Sequence, residues 1–335
     1  MELTQKEREA LRPPEKMTVS SWADKYRVLD SRTSALPGRW RTANTPYLQG
    51  IMDAFNNPEV ETITICTGTQ CGKSETILNI LGFTIHQQPG PVLFVFPSEA
   101  LAEKISKERL RPYIEGCSVL SERWNERGSE TLLLQFQGAN VALVGANVPA
   151  SLASRPIRYL FMDELDKFPA FLALEADPIS LARERTKTFR ARKIVQASTP
   201  TVETGQIWRE MLSADSVFRF FVPCPHCGTF QELEFHQIKW PAEITEEHRK
   251  ALGDPQRIAR VSSSVKEAAW YECLCCHGVI DDQDKIRALR LGRWTKMSIP
   301  GGGKKWELSH DEARGPHVAF HLNSLYSPWL TFGEI

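Results

Sequence analysis

The sequence predicts an α/β protein, with a mostly parallel sheet covered by helices on both faces and a small zinc-ribbon-like module attached. Three observations carry that expectation. Between residues 46 and 215, short runs rich in Val, Ile, Leu and Phe alternate with amphipathic, helix-like stretches. The stretch Thr67–Ser74, TGTQCGKS, stands between one such apolar run and one such helix. Two C-x-x-C pairs, Cys224/Cys227 and Cys273/Cys276, come later in the chain.

Residues 1–45 are expected to form a helical and extended N-terminal segment. It opens with a charged, helix-like run and Pro13–Pro14. Ser20–Leu29 then places Trp22, Tyr26 and Leu29 on one helical face, with Ser20 or Ser21 as N-cap. Pro46–Phe55 is a short amphipathic helix with proline at its start. Strands follow at Val60–Cys66, Pro91–Phe96, Arg158–Met162 and Lys193–Ala197, the last of these beside the Arg158–Met162 strand. A hairpin joins Thr131–Phe136 to Val141–Val144, and helices cover Ser74–Ile85 and Glu99–Ile114. Together they delimit a domain over 46–215. From about Val217 the strands shorten and cysteines appear, which marks a module over 216–280 with a charged, helical insert at Ile244–Arg260. Residues 281–335 are expected as a linker. It carries one helix at Asp281–Leu291, a Gly- and Lys-rich loop at Pro300–Lys305, and a helix starting at Leu330–Ile335.

Composition narrows the classes of function. The 335 residues carry 41 basic and 41 acidic side chains, so formal net charge is zero. A dedicated nucleic-acid domain would be strongly basic; here only a local basic face is open. No apolar run approaches the ~18 residues of a membrane span, and the polar N-terminus is no signal peptide. The eight cysteines lack the layout of a disulfide framework, and the two C-x-x-C pairs point to a metal site in a reducing compartment.

Strand, glycine-bearing loop, Lys-Ser and helix is the order of a phosphate-binding P-loop. In such a loop the amides of Gly68, Thr69, Gln70, Cys71 and Gly72 face the phosphates. Lys73 sets a charge on the β/γ-phosphates, and the Ser74 hydroxyl ligates Mg²⁺. One fixed position departs from the pattern: Thr67 stands where the first glycine is usual, and the glycine comes one step later, at Gly68. About 90 residues on, an apolar strand ends in Asp163-Glu164. Asp163 can hold Mg²⁺ opposite Ser74, and Glu164 can polarise an attacking water. The competing reading is a solvated acidic turn, since Asp166 and Lys167 follow. Ser198-Thr199-Pro200 offers hydroxyls that can sense the γ-phosphate. Gln49 offers the donor–acceptor pair that matches the N6/N7 edge of adenine. Arg155, Arg158, Arg183 and Arg185 are candidates for transition-state charge, and Arg155 is favoured. The thiolates of Cys224, Cys227, Cys273 and Cys276 can close a tetrahedral structural Zn²⁺ site. About 45 residues separate the pairs, and Cys275, His226 and His277 are possible competitors for the metal.

Taken together, these residues resemble the ATPase half of the large terminase subunit of tailed phages, in the lambda-like GpA family. The likeness runs from about Ser20 onward. Its marks are Ser21-Trp22-Ala23, Pro46–Phe55, the P-loop, Ser151–Asp166, Asp177–Phe189, Ala197–Thr201, Pro223–Gly228 and His321–Trp329. The resemblance implies a P-loop ATPase of the additional-strand (ASCE) type, using ATP and Mg²⁺ to drive double-stranded DNA into a procapsid. Carried across, Lys73 and Ser74 hold phosphate and Mg²⁺, Asp163 the metal and Glu164 the catalytic role. Gln49 reads adenine, Thr199 couples, and Arg155 falls in the region of a finger supplied by a neighbouring subunit. Implied partners are the small terminase subunit and the portal of the procapsid, with self-association into a five-membered ring there. The implied location is the cytoplasm of an infected bacterium. The nuclease half of such proteins is expected beyond this chain. Two other readings stay open: a helicase-like nucleic-acid translocase, and a non-catalytic adaptor with a degenerate nucleotide site.

Overall fold

The computed structural model describes residues 15–32, 34, 36–152, 155–169, 177–241, 250, 263–264, 266–298, 307–308 and 315–335. Helix α1 (Val19–Tyr26) is capped by Thr18, whose hydroxyl accepts from the Ser21 amide at 3.3 Å. The cap therefore lies ahead of the two serines expected for it. Strand β1 (Val28–Leu29) pairs antiparallel with β2 (Gly38–Arg39). Helix α2 (Tyr47–Ala54) follows Pro46 as expected. Next come β3 (Thr62–Thr67), α3 (Lys73–Gln87), β4 (Pro91–Phe96) and α4 (Glu99–Ile105). The single helix expected over Glu99–Ile114 widens into a π-helical stretch at Ser106–Leu110 before α5 (Arg111–Gly116). Pro112 is the physical reason. It lacks an amide hydrogen and its ring crowds the carbonyl four residues back, so regular α-helix cannot run through it.

The hairpin of β5 (Leu133–Phe136) and β6 (Ala139–Gly145) turns at Gly138, which has a φ of 80°. Strand β7 (Tyr159–Asp163), α6 (Pro178–Glu184), β8 (Lys193–Ser198), α7 (Gln206–Leu212) and β9 (Ser216–Pro223) continue the alternation. Short strands β10 (Phe230–Gln231), β11 (Ile238–Lys239), β12 (Trp270–Glu272) and β13 (Val279–Ile280) frame the cysteine pairs. Helix α8 (Asp282–Leu291) then leads to β14 (Arg293–Ser298), β15 (Glu307–Leu308) and β16 (His317–Leu322).

One sheet of eleven strands organises these elements, in the order β15-β14-β9-β16-β3-β8-β7-β4-β6-β5, with β10 paired to β9. From β9 to β6 every neighbouring pair is parallel. Both faces are covered. Alternate side chains of β4 and β7 enter different cores: Val92, Phe94, Phe96, Tyr159 and Phe161 on one face, Leu93, Val95, Leu160 and Met162 on the other. The first core packs under α1, α2 and α3, the second under α6 and α7. This is why these strands are continuous apolar runs.

The largest departure from expectation concerns residues 281–335. They are no linker: β14 and β16 belong to the central sheet, and β16 lies between β9 and β3. Strand β9, assigned from sequence to the cysteine module, is also a central strand, so that module begins after Pro223. Residues 330–335 form turns and no helix. The helix-like run before Pro13, the Pro300–Lys305 loop and, apart from Lys250, the Ile244–Arg260 insert lie outside the described residues.

Candidate nucleotide and metal sites

The loop after β3 lies at the carboxyl edge of the parallel strands, where ligands of such sheets bind. Strand β8 separates β3 from β7, so Thr67, Ser198 and Asp163 end three adjacent strands. The side chains meet across this edge. The Lys73 ammonium donates to the Gly68 carbonyl at 3.1 Å and to Thr199 Oγ1 at 2.7 Å. Ser74 Oγ donates to Asp163 Oδ2 at 3.0 Å. Asp163 is 8 % exposed. Burial raises its pKa, partly opposed by the Ser74 hydrogen bond; the neighbouring Glu164 charge raises it and the Lys73 charge lowers it. Glu164 follows in the left-handed region, φ 58°, a conformation that costs a non-glycine residue on the order of 1–3 kcal/mol. Its carboxylate pairs with Lys167 at 3.0 Å.

The displaced glycine has a physical explanation. Thr67 is the last residue of β3, fully inside the sheet opposite Leu322. Gly68 then runs against the segment after β16. A Cβ at 68 would stand 2.4 Å from Ser324 Oγ and 2.6 Å from Ser324 N. The residue that must be small is therefore 68, not 67. Gly72 has a φ of 81° and starts α3. Cys71 is buried, its thiol 3.4 Å from the Thr69 carbonyl and 3.5 Å from the Asn323 carbonyl. Burial pushes that thiol up to about 12, against the Lys73 charge, so it stays protonated and packs.

Gln49 is exposed on α2, the helix whose Leu48 lies against Gly72. Arg155 lies elsewhere. It lines a groove with Pro91 and Asn140, at the amino ends of β4 and β6, so within its own chain it is at the opposite edge of the sheet from Lys73. Arg183 is also removed from the candidates, since it donates to Gln196 Oε1 at 2.9 Å and Glu210 Oε2 at 2.7 Å within the core side of the sheet. Arg158 is engaged with the Ala191 carbonyl and the Tyr159 ring.

Asp166, which the competing reading places in a solvated turn, is a junction. Its Oδ2 accepts from both the amide and the hydroxyl of Thr201 at 3.0 Å, and its Oδ1 accepts from the Ile207 amide at 2.7 Å. Its own amide donates to Ser198 Oγ at 3.1 Å. The turn after Glu164, the Ser198–Thr201 segment and the start of α7 are thus tied through one carboxylate. No local pattern signals this, because all its partners lie more than thirty residues away.

The four cysteines converge. Their sulfurs lie within 4.8 Å of one another, with Cys224–Cys276 at 3.8 Å and Cys227–Cys273 at 3.9 Å. Four thiolates at the usual Zn–S length of about 2.3 Å would be about 3.8 Å apart at tetrahedral corners. The donor set therefore fits Zn²⁺ with no open position. The two histidine competitors are engaged elsewhere: His226 Nε2 with the Val279 carbonyl at 2.6 Å, and His277 Nδ1 with Glu272 at 3.1 Å; Cys275 is outside the group of four converging sulfurs. Amides of His226 and Cys275 point at the sulfurs of Cys224 and Cys273. After the first pair Gly228 takes the left-handed turn, with φ 73°. After the second, His277 takes it, with φ 59°.

The parallel α/β sheet thus carries a lysine–serine loop and a paired carboxylate at its carboxyl edge, and similarity to known proteins assigns its family. A family model, phage terminase large subunit gpA, ATPase domain, matches residues 34–294. The chain belongs to this family. It is 25 % identical over 334 residues to the large terminase subunit of Enterobacteria phage P21, and 25 % identical over 332 residues to that of Escherichia phage lambda. In each case the match covers 96 % of this chain and 49 % of the relative, so the chain spans about half the length of these proteins. The fold is similar to that of the HK97 bacteriophage large terminase, with a TM-score of 0.50 and 12 % identity over 74 % of this chain and 52 % of that one. No helix among the described residues is long and apolar enough to cross a membrane.

Proposed function

We propose that this chain is the ATP-hydrolysing motor part of a DNA-packaging terminase, built as an additional-strand P-loop ATPase. The observation that carries the proposal is the pairing of Ser74 with Asp163 and of Lys73 with Thr199 across three adjacent strand ends. Strand β8, between the loop strand and the Asp163 strand, is the additional strand of that class. Mg²⁺, held by Ser74 and Asp163, would supply charge neutralisation at the β- and γ-phosphates of ATP. Amides from Gly68 to Gly72 and the start of α3 bind the phosphates, with Lys73 as the point charge. Glu164 leaves its ion pair with Lys167 and takes a proton from the attacking water. Thr199 exchanges Lys73 for the γ-phosphate and so carries the change into the loop tied by Asp166. Gln49 reads the adenine edge. Arg155 acts on the site of a neighbouring chain in a five-membered ring, since it is remote from its own.

The four cysteines hold a structural Zn²⁺, which fixes a zinc-ribbon-like module over 224–280. The partners are double-stranded DNA, gripped by its phosphates, the small terminase subunit and the procapsid portal. The setting is the cytoplasm of an infected bacterium. The adaptor alternative rests on Thr67 alone, and Gly68 supplies the small residue the loop needs. Glu164→Ala is expected to bind Mg²⁺-ATP with near wild-type affinity and to lose turnover by about 10²–10⁴-fold. Lys73→Ala is expected to lose both. Hydrolysis by Glu164→Ala at the wild-type rate would remove Glu164 from the mechanism.

A further inference from the structure

A shallow groove opens beside the phosphate loop. Leu36, Asn44, the Pro46 that starts α2, Leu289 and Arg290 of α8, and Trp329 form its walls. Two of these walls are fixed to the loop itself. Leu48, two residues past Pro46, lies against Gly72, where an added Cβ would stand 2.8 Å from its Cδ1. Ser327, two residues before Trp329, donates its hydroxyl to the Gln70 carbonyl at 3.0 Å. Two residues reach at most about 7 Å, so each wall is tied to the phosphate loop through one short chain step and one side chain.

The Trp329 wall is held from behind. The buried Lys285 donates to the Leu330 carbonyl and lies under the Phe332 ring, and Asp282 Oδ1 accepts from the Phe332 amide at 2.9 Å. Trp329 itself stays 46 % exposed, as does Leu36. A partly open aromatic and a proline lining one groove, with a few polar groups at the rim, is the chemistry of a slot for a flat heteroaromatic ligand. Gln49, the residue with an amide suited to a purine edge, is exposed one turn along α2 from Pro46.

Building on the phosphate-loop reading above, we infer that this groove receives the purine base of the nucleotide and that Trp329 stacks on it. Stacking on an aromatic side chain tolerates any base. Trp329 therefore supplies affinity for the base in general, and Gln49 supplies the choice of adenine. The division of labour is testable with a ligand that has phosphates and no base. Affinities for Mg²⁺-ATP, Mg²⁺-GTP and magnesium tripolyphosphate would be measured by titration calorimetry on wild type, Trp329→Ala, Trp329→Phe and Leu36→Trp. The expected result for Trp329→Ala is about a tenfold loss for both nucleotides and none for tripolyphosphate. Trp329→Phe should recover most of the loss. Leu36→Trp, which fills the groove from an exposed position, should weaken both nucleotides and spare tripolyphosphate. Two results overturn the groove and leave the phosphate loop standing: nucleotide affinities within twofold of wild type in both Trp329→Ala and Leu36→Trp, or equal wild-type affinity for ATP and tripolyphosphate. A wild-type chain that binds neither ATP nor tripolyphosphate overturns both.

Discussion

Replacing Gly68 by alanine tests why the proposed phosphate loop departs from the usual spacing. The added methyl carbon would stand 2.4 Å from Ser324 Oγ, which can rotate, and 2.6 Å from Ser324 N, which cannot. Relief therefore requires the Asn323–Ser324 backbone or the loop to move by several tenths of an ångström. That movement strains the Gly68 amide bond to the Leu322 carbonyl, now 2.8 Å. Overpacking of this kind costs about 1–3 kcal/mol. If the loop yields, about 2 kcal/mol falls on the bound geometry, and ATP affinity drops by roughly 30-fold. If the Ser324 segment yields, the same cost appears as a melting temperature lower by about 4–8 °C, at about 2–4 °C per kcal/mol for a chain of this order of size. Calorimetric titration and thermal unfolding on one sample separate the two. Thr67→Gly is the matched control. It removes a buried β3 side chain, so it should lower stability without tightening ATP binding. Unchanged binding and melting in Gly68→Ala, together with tighter ATP binding in Thr67→Gly, would refute the reasoning.

Asp163→Asn should raise the melting temperature of the nucleotide-free chain at pH 7. Burial raises the folded pKa of Asp163 above 3.8, so stability falls as pH rises from 3.8 through the folded value and the penalty persists at neutrality. The advantage of the variant should shrink as pH is lowered towards 4, and a parallel pair of melting curves over pH 4–8 would contradict this. Asp166→Ala removes the acceptor of the Thr201 amide, the Thr201 hydroxyl and the Ile207 amide. A loss of about 2–4 kcal/mol in denaturant unfolding is expected, with ATP turnover falling more than ATP affinity. Elemental analysis should find one zinc per chain, and Cys276→Ser should abolish it. Strong chelation should open residues 224–280 to protease while β9 and β14 stay protected; a metal-free chain with wild-type protease resistance would argue against a structural metal.

Much of the parallel sheet was legible because burial on both faces leaves a plain mark, an unbroken apolar run ended by a polar residue at the carboxyl edge. Tyr159–Asp163 is such a run, and its terminal acid meets Ser74 as its position suggested. The cysteine pairs were legible because ligand chemistry restricts both residue type and spacing. What escaped notice depends on pairing between distant segments. His317–Leu322 is apolar enough for a strand, but nothing local says that it enters beside β3 or that β14 pairs with β9. Asp166 escaped for the same reason, since an acid after a strand looks identical whether water or three distant donors surround it. The π-helical stretch before Pro112 was accessible in principle, because proline inside a helical pattern demands some break.

The insertion of β16 between β9 and β3 orders the birth of the site. Strand β3 leaves the ribosome early, yet its partner on one side is supplied by residues about 250 positions later. Until His317–Leu322 emerges, one flank of β3 has unpaired amides and carbonyls, and Gly68 lacks the carbonyl that anchors it. A nascent chain at that stage exposes a strand edge of the kind that recruits chaperones or mispairs. Pairing across so great a sequence separation is intrinsically slow. The Gly68 turn is thus completed only when the strand that supplies its carbonyl partner has entered the sheet.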